Sequence, residues 1–239
     1  MVNVSSYIQR KIERTESGTI IQMNDFNVPA DKRMAMAKEL SRLAKKGTIA
    51  RLEKGKYYKP RKTLFGNLKP SEDEVLKSIL KSSNGYIGGA TSFNQLGLTT
   101  QVSNTITIVV SDYRPPKEIA GLKIKFRKSE MSIDSDNTII LQLLDSLRYI
   151  TRIPDSSVDE SLKVIMAKIE SMSRIQKRSL LNNAQEYNPA TRALIGAIFE
   201  LNCSGFSTEK LFKSLNPLSK YRLGISKELL PNKLKWRIE

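Results

Sequence analysis

The chain has 239 residues, with one cysteine, no histidine and 40 Lys and Arg side chains against 24 Asp and Glu. A single cysteine excludes an internal disulfide, and the absence of histidine excludes a Cys/His zinc site and catalysis by an imidazole base. The net charge of +16 predicts a polyanionic partner, either a nucleic acid or an acidic membrane surface.

The basic charge is distributed unevenly along the chain. Residues 1–70 carry 16 basic and 6 acidic side chains, residues 71–137 carry 8 of each, and residues 138–239 carry 16 and 10. Charge that served only solubility would be spread evenly, so this distribution favours a polyanion-binding segment at the N-terminus. No apolar run reaches the roughly 18 residues that cross a bilayer, and the first residues lack the apolar core of a signal peptide. We therefore expect a cytoplasmic protein with no membrane partner.

The first sixty residues begin with two predicted helices. Val4, Ile8 and Ile12 recur at helical spacing, which predicts an amphipathic helix over residues 5–15. Asn24-Asp25-Phe26 indicates a short second helix, and Pro29 makes the residues before it a turn. A helix, a short helix and a turn are typical of the first part of a helix-turn-helix.

The strongest predicted helix of this half covers residues 30–46. Its apolar residues Met36, Leu40 and Leu43 fall on one side of a helical wheel, whereas Lys38 and Ser41 fall on the opposite side. Basic and small side chains together suit a helix that enters the major groove of DNA. Alone, such a pattern is also typical of a solvated helix.

A predicted hairpin directly follows this helix. Residues 48–52 and Tyr57-Tyr58 have the character of short strands around a turn that contains Gly55. A hairpin in this position is the wing of a winged helix-turn-helix, and between Lys32 and Lys62 there are twelve basic and two acidic residues. The residues that we expect to contact DNA are Lys32, Arg33, Lys38, Ser41, Arg42, Lys45, Arg51, Lys54, Lys56, Lys59 and Arg61.

The remaining residues predict an α+β unit and then a helical region. Ser71 to Glu74 and Ser157 to Glu160 each have the pattern of a capping box, and strands are expected over residues 105–110 and 122–126. After Asp134 the apolar spacing becomes helical, and alternating residues near 221–225 and 234–238 predict a terminal strand pair. The fold class is therefore α+β, with expected units at 1–66 (winged helix-turn-helix), 67–130 (small α+β) and 131–239 (mostly helical with a terminal β-hairpin).

Several segments of the sequence resemble AbiEi-type antitoxins of type IV toxin–antitoxin systems. The resemblance is carried by LSRLAKKGTI at Leu40–Ile49, KGKYYKP at Lys54–Pro60, GYIGGA at Gly85–Ala90, FNQLGLTTQ at Phe93–Gln101 and GLKIKFR at Gly121–Arg127. It covers about residues 1–130, and residues 189–197 are less distinctively similar to the C-terminal part of some members.

The resemblance implies a transcriptional repressor that binds the DNA of its own operon through an N-terminal winged helix. It also implies an antitoxin that opposes a nucleotidyltransferase-type toxin, in some members without a stable complex. A stand-alone winged-helix regulator with no toxin partner is the alternative interpretation. An enzyme is a third interpretation, because residues 131–239 contain Asp and Glu without an assigned role. The expectation is a protein that is not an enzyme and has no cofactor, metal site or catalytic residue.

Overall fold

The computed structural model describes residues 4–64 and 66–239, which form a mixed α+β fold with nine α-helices and three small sheets. Two compact units are present: residues 1–83 with 116–124, and residues 84–115 with 125–239. The expected division at residues 66 and 130 stays a prediction. No helix within these described ranges is long and apolar enough to cross a membrane.

The first unit begins with two helices, three short strands and a hairpin. Its elements are α1 Val4–Arg14, β1 Ile20–Gln22, 3-10 turns at Met23–Asp25 and Ala30–Lys32, α2 Arg33–Lys45, β2 Ala50–Glu53, β3 Lys56–Tyr58, β4 Arg61–Thr63, β5 Gly66–Leu68 and α3 Glu72–Ser83. The second short helix predicted near Phe26 is thus a 3-10 turn. The helix expected over 30–46 consists of a 3-10 turn followed by α2.

The first sheet is antiparallel, with strand order β1-β3-β2. Ile20 lies opposite Tyr58, and Ala50 lies opposite Tyr58 on the other side. Apolar side chains from α1, α2 and this sheet form one core; its buried members are Ile8, Ile12, Ile21, Phe26, Met36, Leu40, Leu43, Ile49 and Tyr57. The helical spacing of Ile8 and Ile12 on α1 and of Met36, Leu40 and Leu43 on α2 therefore gives each helix its buried face.

The second unit contains two strands, part of a third strand and six helices. Its elements are β6 Tyr86–Gly88, α4 Gly89–Gln95, β7 Thr105–Val110, the later residues of β9 Leu122–Lys128, α5 Thr138–Arg148, α6 Val158–Glu170, α7 Arg174–Ala184, α8 Pro189–Asn202 and α9 Glu209–Lys213. The first unit holds β8 Lys117–Ile119, paired with the start of β9. The sheet that contains β6, β7 and β9 has the strand order β6-β7-β9-β8.

Side-chain caps begin three helices of the second unit, α6, α7 and α8. Ser157 and Glu160 form the expected capping box of α6, and Asn188 accepts from the backbone of Thr191 at the start of α8. The helices enclose the largest core of the chain, which includes Leu143, Leu144 and Phe199. Cys203 is buried at its edge.

The predicted terminal strand pair is wrong. Residues 227–237 form successive turns, and Tyr221 and Ile238 make a single parallel bridge. The alternation of Leu234, Trp236 and Ile238 has another cause, because the Trp236 ring packs tightly against α8. A Cβ placed on Gly196 would lie 2.1 Å from the ring, and the indole Nε1 donates to Glu200 Oε2 at 2.6 Å. The chain bends to seat one aromatic side chain, which periodicity alone does not reveal.

Candidate nucleic-acid interface

Helix α2 presents a polar face to solvent, as its sequence predicts. Met36, Leu40 and Leu43 are buried, whereas Met34, Lys38, Ser41 and Lys45 are exposed. Arg33, the first residue of α2, is also exposed. Apart from Met34, the exposed face thus combines cations with the small Ser41 side chain, a composition that suits a helix approaching a base-pair edge.

Arg42 is held in place by a buried carboxylate on the same helix. Its Nε donates to Glu39 Oε2 at 2.8 Å, its Nη2 lies 2.5 Å from Glu39 Oε1, and Gln9 of α1 donates to that same Oε1 at 2.8 Å. The hydrogen bonds from Arg42 lower the pKa of Glu39 from 4.5 to about 2. One edge of the guanidinium is therefore fixed, while the side chain keeps 43% exposure.

The β2–β3 hairpin places two cations in solvent and keeps a third within the fold. Arg51 and Lys54 are exposed, and Gly55 adopts a φ of +79°, which favours glycine at the turn. Lys56, in contrast, lies 3.0 Å from Glu53 and has a side chain only 12% exposed. Burial alone would raise the pKa of the Glu53 carboxyl. Its hydrogen bonds and charge attraction with Lys56 and Lys117 outweigh burial, so the pKa is lowered.

Lys59 has a structural role at the end of α1. Its ammonium donates to the backbone carbonyls of Ile12, Glu13 and Thr15, at 3.1, 2.8 and 2.7 Å. A cation at the last carbonyls of a helix also interacts favourably with the negative end of the helix dipole. Lys59 therefore joins the end of β3 to α1, and all three of its N–H donors are already used.

The last two expected residues lie at the ends of the segment. Lys32 is half-buried and lines a surface cavity of about 350 Å³ beside Tyr7 and Val28. Arg61 is exposed on β4, opposite Leu68 of β5. The structure thus displays to solvent Arg33, Lys38, Ser41, Arg42, Lys45, Arg51, Lys54 and Arg61, whereas Lys32, Lys56 and Lys59 are partly buried.

Sequence reasoning did not predict the contact between Gln9 and Glu39. The spacing of Glu39 and Arg42, three residues apart on one helix, indicates their ion pair. The partner on α1 comes from packing and has no signal in local sequence. The β4–β5 hairpin, which carries Arg61, was likewise not predicted because its residues are exposed and have no apolar alternation.

The second unit contains a buried acidic side chain with a full set of partners. Asp145 accepts hydrogen bonds from Tyr86 Oη at 2.9 Å and Tyr187 Oη at 3.1 Å, and it pairs with Arg127 at 2.5 Å. Burial, together with this carboxylate, raises the pKa of both tyrosines. Within the ranges that the structure describes, no group of three or more His, Cys, Asp or Glu side chains is suited to a metal ion.

The model of a protein family of unknown function, DUF6088, matches residues 7–181 of the chain. The chain belongs to this family. Comparison with curated proteins gives no match. Among solved structures, the crystal structure of the Rv2827c protein of Mycobacterium tuberculosis is similar, with a TM-score of 0.50 and 9% identity over 92% of this chain and 85% of that one. At this identity the similarity concerns the fold alone, so this DUF6088 member shares a fold with the Rv2827c protein.

Proposed function

We propose that this chain is a DNA-binding transcriptional regulator that uses a winged helix-turn-helix in its first unit. The proposal extends to the antitoxin function that the resemblance to AbiEi-type proteins implies. In this proposal the chain binds the promoter of its own operon, represses it, and counters a nucleotidyltransferase-type toxin.

The order of elements in the first unit supports the winged helix. Helix α1 is followed by β1, a 3-10 turn, α2 and the β2–β3 hairpin, and β1 closes the sheet beside β3. In winged-helix proteins the second helix of the motif enters the major groove, and here that helix is α2. The hairpin that follows it is then the wing.

The single observation that carries the proposal is the exposed face of α2. Lys38, Ser41 and Lys45 are exposed there, and Arg42 lies beside them with one edge of its guanidinium held by Glu39. The other edge of a guanidinium can form two parallel hydrogen bonds with a guanine. A fork fixed before binding loses less entropy when it does so.

Binding to duplex DNA by the full chain tests the DNA-binding part. Affinity is measured by fluorescence anisotropy on the duplex that precedes the gene and on a shuffled duplex, over a series of salt concentrations. Six phosphate contacts predict a log–log slope of about −5, at roughly −0.9 per contact. Replacing Lys38 and Lys45 by Ala should weaken binding and flatten the slope.

A matched control removes two exposed lysines from the second unit, Lys163 and Lys227, and should leave the slope unchanged. Equal slopes for the Lys38/Lys45 and Lys163/Lys227 double variants would contradict α2 as the DNA-contacting helix. Equal affinity for the two duplexes would contradict sequence-specific repression.

Growth rescue tests the antitoxin part. Cells that express a nucleotidyltransferase encoded beside this gene should recover with the full chain and with its Lys38/Lys45 double variant, because rescue does not require DNA binding in this proposal. Leu143→Asp places a charge in the core of the second unit and should abolish rescue. If the folded full chain gives no rescue, the stand-alone regulator is the correct interpretation.

A further inference from the structure

A second basic feature lies in the unit that the DNA-binding proposal does not use. A groove of about 290 Å³ runs between α7 and the residues that lead into α9. It is lined by Arg178, Leu181, Asn182, Gln185, Gly205, Phe206, Ser207, Lys210 and Leu211. We propose that this groove binds a nucleotide, with the phosphate held by Arg178 and Lys210 and the base by side-chain amides.

The two cations in the groove are available for an anion. Neither Arg178 nor Lys210 forms an ion pair with any residue that the structure describes, and both are exposed. The lining itself includes no Asp or Glu. The adjacent carboxylate on α9, Glu209, is paired with Lys213 at 2.6 Å. Two unneutralised cations in a concave surface focus a positive potential there, which attracts a phosphate.

One face of α7 presents side chains of graded polarity along the groove. Arg174, Arg178, Asn182 and Gln185 follow one another at helical spacing, so two guanidiniums are followed by two amides. The Arg174 guanidinium stacks over the Phe206 ring at 5.9 Å, which holds a further positive charge at the edge of the groove.

The amides and the apolar lining favour a nucleotide over inorganic phosphate. Asn182 and Gln185 each carry a donor and an acceptor, which is what the hydrogen-bonding edge of a base requires. Leu181 and Leu211 also line the groove and are buried, so they offer an apolar surface to a planar ring. The volume also exceeds what a phosphate ion fills and approaches the lower end of small-molecule pockets, roughly 300 Å³.

Calorimetric titration of the full chain tests the site. The probes are adenosine 5′-monophosphate, adenosine, inorganic phosphate and a five-nucleotide single-stranded RNA. Adenosine 5′-monophosphate should bind at least ten-fold more tightly than adenosine or phosphate. If the RNA binds at least ten-fold more tightly than the mononucleotide, the natural ligand is a nucleotide within an RNA strand. If the RNA and the mononucleotide bind with equal affinity, the ligand is a free nucleotide.

Substitutions in the groove test whether it is the site that binds the nucleotide. Arg178→Ala and Lys210→Ala should each weaken binding at least ten-fold, because each removes a charge-assisted contact to the phosphate. Lys163→Ala removes an exposed lysine elsewhere in the unit and should bind as the parent does. Trp236 fluorescence in each variant verifies that the unit remains folded.

The proposal is overturned if no nucleotide binds, if phosphate binds as tightly as the mononucleotide, or if both groove variants bind as the parent does. These outcomes are independent of the winged helix. The Lys38/Lys45 double variant should still bind the mononucleotide while its binding to duplex DNA is weakened. The failure of one proposal is thus distinguishable from the failure of the other.

Discussion

The carboxylate of Glu39 should stabilise the first unit by an amount that depends on pH. Its lowered pKa, about 2 against an ordinary 4.5, corresponds to about 3 kcal/mol at 1.36 kcal/mol for each pH unit. Because the Arg42 side chain is 43% exposed, solvent screens part of this interaction, and we expect about 1–2 kcal/mol. Since the folded-state pKa is the lower one, this stability is present above pH 4.5 and is lost as the pH falls towards 2.

Glu39→Gln tests this expectation while keeping the shape of the side chain. Urea unfolding at pH 7 should show a free energy of unfolding lower by about 1–2 kcal/mol, and the two proteins should converge as the pH falls below 4.5. Glu74→Gln is the matched control, because Glu74 pairs with Lys77 at 3.4 Å on the surface and should cost less than about 1 kcal/mol. Parallel pH curves for the parent and Glu39→Gln would refute the assigned role of Glu39.

The same substitution should change DNA recognition. Without the carboxylate, the Arg42 guanidinium loses its fixed orientation, so the preference for the promoter duplex over the shuffled duplex should fall by up to about ten-fold. Affinity for the shuffled duplex should stay the same or rise, because a negative charge is removed beside the phosphates. An undiminished preference would show that Glu39 does not position Arg42 for a base.

Three further predictions concern the second unit. Asp145→Asn should lower the free energy of unfolding by about 2–4 kcal/mol, because it leaves the half-buried guanidinium of Arg127 without its counter-charge. Glu130→Gln, at the exposed pair with Arg148, should lower it by under about 1 kcal/mol, and thermal unfolding compares the two variants. Gly196→Ala should cost about 1–3 kcal/mol by displacing Trp236, with an altered fluorescence spectrum as the check. Cys203 should react slowly with a thiol reagent until urea unfolds the chain, because burial raises the pKa of its thiol; rapid reaction in the native state would contradict this.

The sequence predicted the elements whose signal is local. Apolar spacing gave the buried face of α2, and polar caps such as Ser157 marked where helices begin. The hairpin around Gly55 was predicted from its turn chemistry. Each of these features depends on residues within about one helical turn or one hairpin of one another.

Features that depend on distant partners were missed or mistaken. Lys59 has the charge expected of a phosphate-binding residue. Its ammonium instead donates to the carbonyls at the end of α1, more than forty residues earlier in the chain. Trp236 gave the last residues a strand-like alternation, although residues 231–237 form turns and its ring packs against Gly196. Helix α7 was not predicted, because its apolar residues are few and most of its surface is polar. Periodicity describes one element at a time and does not identify the partner of a side chain.

The most direct test of the proposed DNA binding compares two lysines of the β2–β3 hairpin that differ in exposure. Lys54 is exposed, whereas Lys56 is paired with Glu53 and largely buried. In anisotropy measurements on duplex DNA, Lys54→Ala should flatten the log–log salt slope by about one, and Lys56→Ala should leave the slope nearly unchanged. An unchanged slope for Lys54→Ala, or no salt-dependent binding by the parent chain, would contradict the account.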